Sequence, residues 1–223
     1  MSASAAIAKP DPGVEAIEVL HADAHCIVAV KPSGLLSVPG RGPDLQDCVH
    51  ARLLRRYADA RVVHRLDMST SGLIVFARGA EAQRRLSRAF AQREVEKGYV
   101  AVVDGHVVAE SGEIDLPLQA DWPARPKQKV DLEKGKPSLT RYRVLARETV
   151  LATTRLELQP ITGRAHQLRV HLLALGHPIL GDALYAPPAV QGRAERLLLH
   201  AQALRFPHPA TGEPLAFGSA VPF

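Results

Sequence analysis

The sequence predicts an α+β fold built on a mixed, mostly antiparallel central sheet flanked by helices and loops. Strand-like apolar runs outnumber helical patterns along the 223 residues. Strands and helices do not alternate strictly, as a doubly wound α/β fold requires. No repeat, low-complexity tract or linker divides the chain, so residues 14–223 are expected to form a single domain. A chain of this length can bury roughly 70% of its unfolded surface, enough for a core without staples.

Residues 1–13 are small, polar and proline-containing, and read as a disordered tail. Residues 17–30 alternate loosely and end in Ile27-Val28-Ala29-Val30, a strand. Residues 31–43, rich in Pro and Gly, form a loop. Asp44 is placed to cap a helix carrying Leu45, Cys48, Val49, Leu53 and Tyr57 at helical spacing. Val62-Val63 and Leu73-Ile74-Val75-Phe76 flank a short polar bend, giving a hairpin-like unit over 62–77. Residues 80–92 form a second helix, with Ala82, Leu86, Ala89 and Phe90 inward and Arg84, Arg85, Arg88 and Arg93 mostly outward.

Glu96-Lys97-Gly98-Tyr99 opens a strand that runs through Val103, and residues 111–118 make a short strand. Residues 119–138 form a long polar loop, broken at Trp122-Pro123, Arg125-Pro126, Gly135 and Lys136-Pro137. Residues 139–158 hold two strands, the second alternating as Thr154-Arg155-Leu156-Glu157-Leu158. Ile161-Thr162-Gly163-Arg164 turns into a helix over 165–175, ended by Gly176. Leu197 to Phe206 is a late strand.

Composition narrows the function classes. The two cysteines, Cys26 and Cys48, lack CxxC spacing, which points to a reducing compartment and no disulfide framework. There is no run of about 18 apolar residues, so no membrane span is expected. The first ten residues lack the basic and apolar regions of a secretion signal, and a cytoplasmic location is expected. Net charge is +5 and 21 of the 28 basic residues are arginine. A basic surface favours polyanions, and arginine both grips phosphate and stacks on bases. A GC-rich genome would also raise Arg and Ala, so composition alone leaves nucleic-acid binding open.

Two constellations carry chemistry. The first is His64-Arg65-Leu66-Asp67-Met68-Ser69-Thr70-Ser71-Gly72, which holds one carboxylate in a bend between core strands. Loops fixed by a rigid scaffold are where chemistry tends to sit. Asp67 can equally make turn hydrogen bonds or pair with Arg65. The second runs from Thr162 to His171 and puts Arg164, Leu168 and His171 on one helical face. A cation at a helix start opposes the helix dipole and needs a partner, which a buried carboxylate would supply. His166 and His171 are five apart, not the four that places two metal ligands on one face, and no Cys or acidic cluster joins them. Metal ligands are expected to be none, with both histidines structural or facing RNA. No GxSxG elbow, GxGxxG or P-loop occurs, so no nucleotide cofactor is expected.

These residues resemble the RluA family of pseudouridine synthases. His64-Arg65-Leu66-Asp67 followed by Thr70-Ser71-Gly72 is similar to the family's catalytic motif. Lys31-Pro32-Ser33-Gly34-Leu35 resembles its early Lys-Pro-x-Gly loop, and Lys97-Gly98-Tyr99 its Lys-x-Tyr element. Thr162-Gly163-Arg164-Ala165-His166-Gln167-Leu168-Arg169-Val170-His171 resembles its later helix start. His177 to Asp182 and Leu197 to Ala201 also match, in order, over roughly residues 17–215. Two longer strings, Lys31 to Arg41 and Asp121 to Val130, resemble the family's short type without an S4 domain, for which the early motif leaves no room.

The resemblance implies the pseudouridine synthase fold, no cofactor, a monomer without a protein partner, and isomerisation of uridine in tRNA and 23S rRNA stem-loops. The implied targets are tRNA anticodon-loop position 32 and 23S rRNA position 746. A target base is extruded from its loop, as in other enzymes acting on bases. Asp67 is implied as the catalytic residue, by attack on C1′, addition to C6 or removal of a sugar proton. A buried carboxylate needs a nearby cation to stay charged, and the resemblance casts Arg164 as that cation. Tyr99 and Leu168 are implied to sandwich the flipped base, and Arg65 to fill the gap it leaves. Arg125, Lys127 and Lys129 are candidate phosphate contacts, or else a solvated loop. The rival readings are a non-catalytic RNA-binding or ribosome-assembly protein on the same fold, a synthase acting on one RNA only, and a hydrolase of nucleoside bonds. Glycosidic hydrolysis ordinarily uses a carboxylate pair, and only one acid is placed this way.

Overall fold

Apolar residues in unbroken runs need cover on both faces of a sheet, and two central strands of this chain are built that way. The computed structural model describes residues 17–223, so the tail expected at 1–13 lies outside the described residues. Strands β1 (Glu18–Ala22) and β2 (Cys26–Lys31) form a hairpin. Its turn is held by Asp23, whose Oδ1 accepts from the amides of His25 and Cys26. After helix α1 (Val49–Leu54) come β3 (Ala60–Val62), β4 (Ser71–Arg78) and helix α2 (Gly79–Ala91). Cys26 and Val28 of β2 and Leu73, Val75 and Ala77 of β4 pack on Ala82, Leu86 and Ala89 of α2. The alternate residues Ile27, Ala29, Ile74 and Phe76 pack on Val49 and Leu53 of α1. Period-two alternation thus feeds two separate layers from the same strands.

The second half adds β5 (Glu96–Asp104), β6 (Ser111–Asp115), β7 (Leu118–Ala120), β8 (Gln128–Val130), β9 (Leu139–Glu148) and β10 (Thr153–Pro160). Helices α3 (Gln167–Ala174) and α4 (Pro188–Gln191) and strands β11 (Leu199–Pro207) and β12 (Pro214–Gly218) complete it. The sheet runs β1-β2-β4-β11-β5-β10-β9-β6, with β3 beside β4 and β12 beside β11. Every pairing within it is antiparallel except β4–β11, where His200 faces Ser71 and Ala201 faces Gly72. The expected mixed, mostly antiparallel α+β architecture is therefore what forms. The parallel contact depends on Gly72: at φ 113° a Cβ there would lie 2.3 Å from the Ala201 carbonyl oxygen. Helix α3 closes the core over β5, β9 and β10 through Leu168 and Leu172.

Four local expectations are corrected. The helix expected from Asp44 is a 3-10 turn, Pro43–Leu45, followed by the short α1. Gln46 Nε2 reaches back to the carbonyls of Gly40 and Gly42 and closes that segment on itself, so Cys48, not Asp44, caps α1 through its sulfur. The strand expected over 111–118 stops at Asp115, and the loop expected over 119–138 contains the β7–β8 hairpin. The helix expected from 165 starts at Gln167, because His166 adopts left-handed backbone, φ 53°. Among the described residues, no helix is long and apolar enough to cross a membrane.

Candidate active site

The bend that carries Asp67 has no regular structure of its own, and neighbouring loops hold it. Ser37 Oγ donates to the Leu66 carbonyl at 2.8 Å and accepts from the Leu66 amide at 3.0 Å. The Met68 carbonyl accepts from the Gly34 amide at 2.9 Å and from Lys31 Nζ at 2.8 Å. Ser33 Oγ donates to the Ser69 carbonyl, and the Thr70 amide donates to the Asp67 carbonyl. On the other side, His64 Nε2 accepts from the Val75 amide at 3.0 Å while its ring stacks on Phe90. Burial lowers the His64 imidazole to about 3, so it serves as a neutral acceptor. The segment from Lys31 to Ser37 is thus a clamp on the residues either side of Asp67.

Lys31 is fully buried, and its ammonium donates to the carbonyls of Pro32, Leu35 and Met68. Burial pulls its pKa down to about 7, opposed by the charge of Asp67 and reinforced by Arg196. The carboxylate of Asp67 itself stays 25% exposed, open enough to meet a substrate. Arg169 Nη1 lies 3.5 Å from Asp67 Oδ2. The same guanidinium, 3% exposed, grips Asp182 with two bonds, Nε to Oδ2 at 2.8 Å and Nη2 to Oδ1 at 2.5 Å. Asp182 also accepts from the amides of Leu184 and Tyr185, so it is fully engaged. Its backbone is placed by Gly181, where a Cβ would overlap the Arg196 carbonyl oxygen. His166 Nε2 is 3.9 Å from Asp67 Oδ1, and its Nδ1 bonds the Tyr185 hydroxyl at 2.6 Å.

The cation beside Asp67 is therefore Arg169, and this corrects the expectation that Arg164 pairs with it. The left-handed turn at His166 takes Arg164 off the helical face that it was expected to share with Leu168 and His171. Arg164 is exposed, with Nε 3.4 Å from the Pro137 carbonyl. Arg169 lies inside α3, in a run from Gln167 to Leu172 that is buried throughout. An arginine in a helix with no solvated side must be paired. Asp182 and Tyr185, which surround its guanidinium, come from the loop that follows α3.

The remaining candidates fall in two groups. Tyr99, half-buried on β5, packs against both core clusters that border the site. Burial, reinforced by the negative charge of Asp67, pushes its phenol well above the usual range. Leu168 is buried at 6% exposure in the cluster that Tyr99 packs on. Arg65 is exposed and makes no ion pair among the described residues, so it does not pair with Asp67. Arg125, Lys127 and Lys129 lie apart from the carboxylate, on the β7–β8 hairpin: Arg125 and Lys129 are exposed and Lys127 is half-buried. His171 is structural, bonded to Thr140 Oγ1 at 2.9 Å and to the Leu116 carbonyl at 3.0 Å.

Among the described residues, His21, Asp23 and Cys26 come close enough to share a metal ion. The Asp23 oxygens are already occupied there: Oδ1 by two amides and Oδ2 by His21 and His208. That cluster ties the β1–β2 turn to the end of β11.

Fold and family together define the class. The family model of RNA pseudouridylate synthases matches residues 25–174, and the chain belongs to this family of isomerases. The chain is 52% identical over 207 residues to the dual-specificity RNA pseudouridine synthase RluA of Pasteurella multocida, covering 93% of this chain and 94% of that one. It is 54% identical over 199 residues to the RluA of Yersinia pestis, covering 89% and 96%. Among solved structures, human RNA pseudouridylate synthase domain containing 1 superposes with a TM-score of 0.81 at 30% identity, over 96% of this chain and 87% of that one.

Proposed function

We propose that this chain converts uridine to pseudouridine in tRNA and 23S rRNA stem-loops, at anticodon-loop position 32 and at rRNA position 746. The carrying observation is a single partly exposed carboxylate, Asp67, clamped on both sides and set beside the buried Arg169. In this reading Asp67 initiates cleavage of the bond between N1 and C1′. The base turns, C5 bonds to C1′, C5 loses its proton and N1 gains one. Arg169 orients the carboxylate and balances its charge. Tyr99 and Leu168 bracket the extruded uracil, and Arg65 enters the space it vacates, suited by its planar, permanent charge. Arg164, Arg125, Lys127 and Lys129 contact phosphates and position the RNA without reading its sequence. The protein acts as a single catalytic domain and a monomer in the cytoplasm.

Tritium release from RNA labelled at uridine C5 tests the chemistry. Isomerisation frees the label, binding alone frees none, and simple base loss leaves it on free uracil. Asp67→Asn is expected to abolish release while RNA affinity stays within about tenfold, because phosphate contacts supply most of it. Residual turnover in that variant removes Asp67 from its role. Mapping pseudouridines in a deletion strain tests the targets: loss at only one of the two positions overturns the dual specificity.

A further inference from the structure

The β7–β8 hairpin carries the chain's single tryptophan, and it does not bury it. Trp122 is 65% exposed at the hairpin tip. A tryptophan has a large apolar surface to shield, so leaving it in water at an ordered position calls for a reason. The Arg125 guanidinium lies over the ring, 3.2 Å from its centroid. The tip is ordered by its own backbone: Asp121 donates to the Lys127 carbonyl, and Ala124 and Lys127 donate to Asp121 and Ala124. An indole and a planar cation are thus held stacked, with most of the indole still open to solvent.

The placement of this pair matters as much as its chemistry. The Gln128 amide, paired with Ala120 at the tip end of the hairpin, donates to the Tyr185 hydroxyl at 2.8 Å. Tyr185 bonds His166, whose other nitrogen faces Asp67 at 3.9 Å. Trp122 therefore sits two residues beyond a point anchored to the reacting carboxylate. Lys127 and Lys129 lie on the same hairpin. Flat aromatic and guanidinium surfaces flanked by ammonium groups match a nucleobase with its phosphates. Paired bases in a helix keep their faces stacked inside, so only an unpaired base can use such a surface.

We propose that the Trp122–Arg125 stack is a second base subsite, which takes an unpaired nucleobase of the RNA loop other than the uridine that reaches Asp67. This rests on the pseudouridine synthase reading and adds a specificity contact to it. The stack favours RNA loops that can present a second splayed base and penalises loops that cannot.

Trp122 is the only tryptophan, so its emission reports on this one place. Titration with a substrate hairpin RNA is expected to change Trp122 emission saturably. The change is expected to vanish when one loop nucleotide beside the target uridine, tested position by position, is made abasic. In tritium release, Trp122→Ala is expected to raise KM about 5- to 150-fold, the range for loss of one base–aromatic stack, and to leave kcat within about twofold. Trp122→Phe is expected to restore KM to within about threefold. Emission that stays constant while the RNA saturates the enzyme overturns the subsite, as does a Trp122→Ala KM within about twofold of the parent. If the parent protein releases no tritium, the enzymatic reading fails and the subsite falls with it. If it turns over while Trp122 is silent, only the subsite fails.

Discussion

Arg169 and Arg164 lie five residues apart in one motif, and their environments separate their roles. Arg169 is buried and answers Asp182, itself 1% exposed, before it reaches Asp67. Arg169→Ala leaves a buried carboxylate without its cation, a loss of roughly 3–5 kcal/mol that urea unfolding will measure. Arg164→Ala removes an exposed side chain and is expected to cost within about 0.5 kcal/mol, weakening RNA binding instead. His200 gives a pH signature at the same scale. It bonds Ser71 Oγ at 2.8 Å and Ser219 Oγ at 3.2 Å, and burial lowers its pKa to about 4. The fold keeps this base neutral, so its contribution is complete above the free-histidine value of about 6.5. As pH falls from about 6.5 towards 4, the unfolded chain takes up a proton that the fold refuses, and stability is lost. His200→Gln is expected to flatten the stability profile in that window by about 1.4 kcal/mol per pH unit. An unchanged slope refutes the assignment.

Between elements, the decisive contact is the grip of the Lys31–Ser37 loop on the Asp67 bend. Lys31 supplies three donors to carbonyls that otherwise have few, one of them on the residue after Asp67. Lys31→Met retains the apolar stem but strips those carbonyls of their ammonium. It is expected to lower kcat by about tenfold or more with a smaller change in KM, since a loosened carboxylate loses orientation rather than substrate affinity. Equal loss in both parameters, or none, counts against the clamp. The β7–β8 hairpin is the other working element. Its tip end is tied to His166 through Tyr185, so the surface proposed to meet RNA and the carboxylate are held in one frame.

At the scale of the whole molecule, the net charge of +5 is unevenly used. Arg84 and Arg85 pair with Glu81, Arg141 with Glu113, Arg143 with Glu157 and Arg147 with Glu110. Arg65, Arg125, Arg164, Lys127 and Lys129 make no ion pair among the described residues. These five are residues proposed to touch RNA. RNA affinity is expected to fall with salt, and Lys129→Gln to reduce the log–log slope by about 0.7, the value for one phosphate contact on a single strand. Arg141→Gln, which removes a cation already neutralised by Glu113, is expected to keep the parent slope. Equal slopes for Lys129→Gln and the parent remove Lys129 from the interface.

The sequence by itself determined the α+β class, the long elements α2, β5, β9, β10 and β11, and Asp67 as the acid on a constrained bend. Those features are written locally: apolar runs set the strands, period 3.6 sets α2, and Gly and Pro mark the breaks. Short elements were less legible. The β7–β8 hairpin and the 3-10 turn at Pro43–Leu45 rest on backbone closures that no periodicity announces. The tertiary structure alone decided which arginine meets Asp67. The two residues are 102 positions apart, and the choice turns on a left-handed backbone at His166 and on Asp182 filling the rest of the guanidinium. Burial of a charge is a property of the assembled core, and no single segment encodes it.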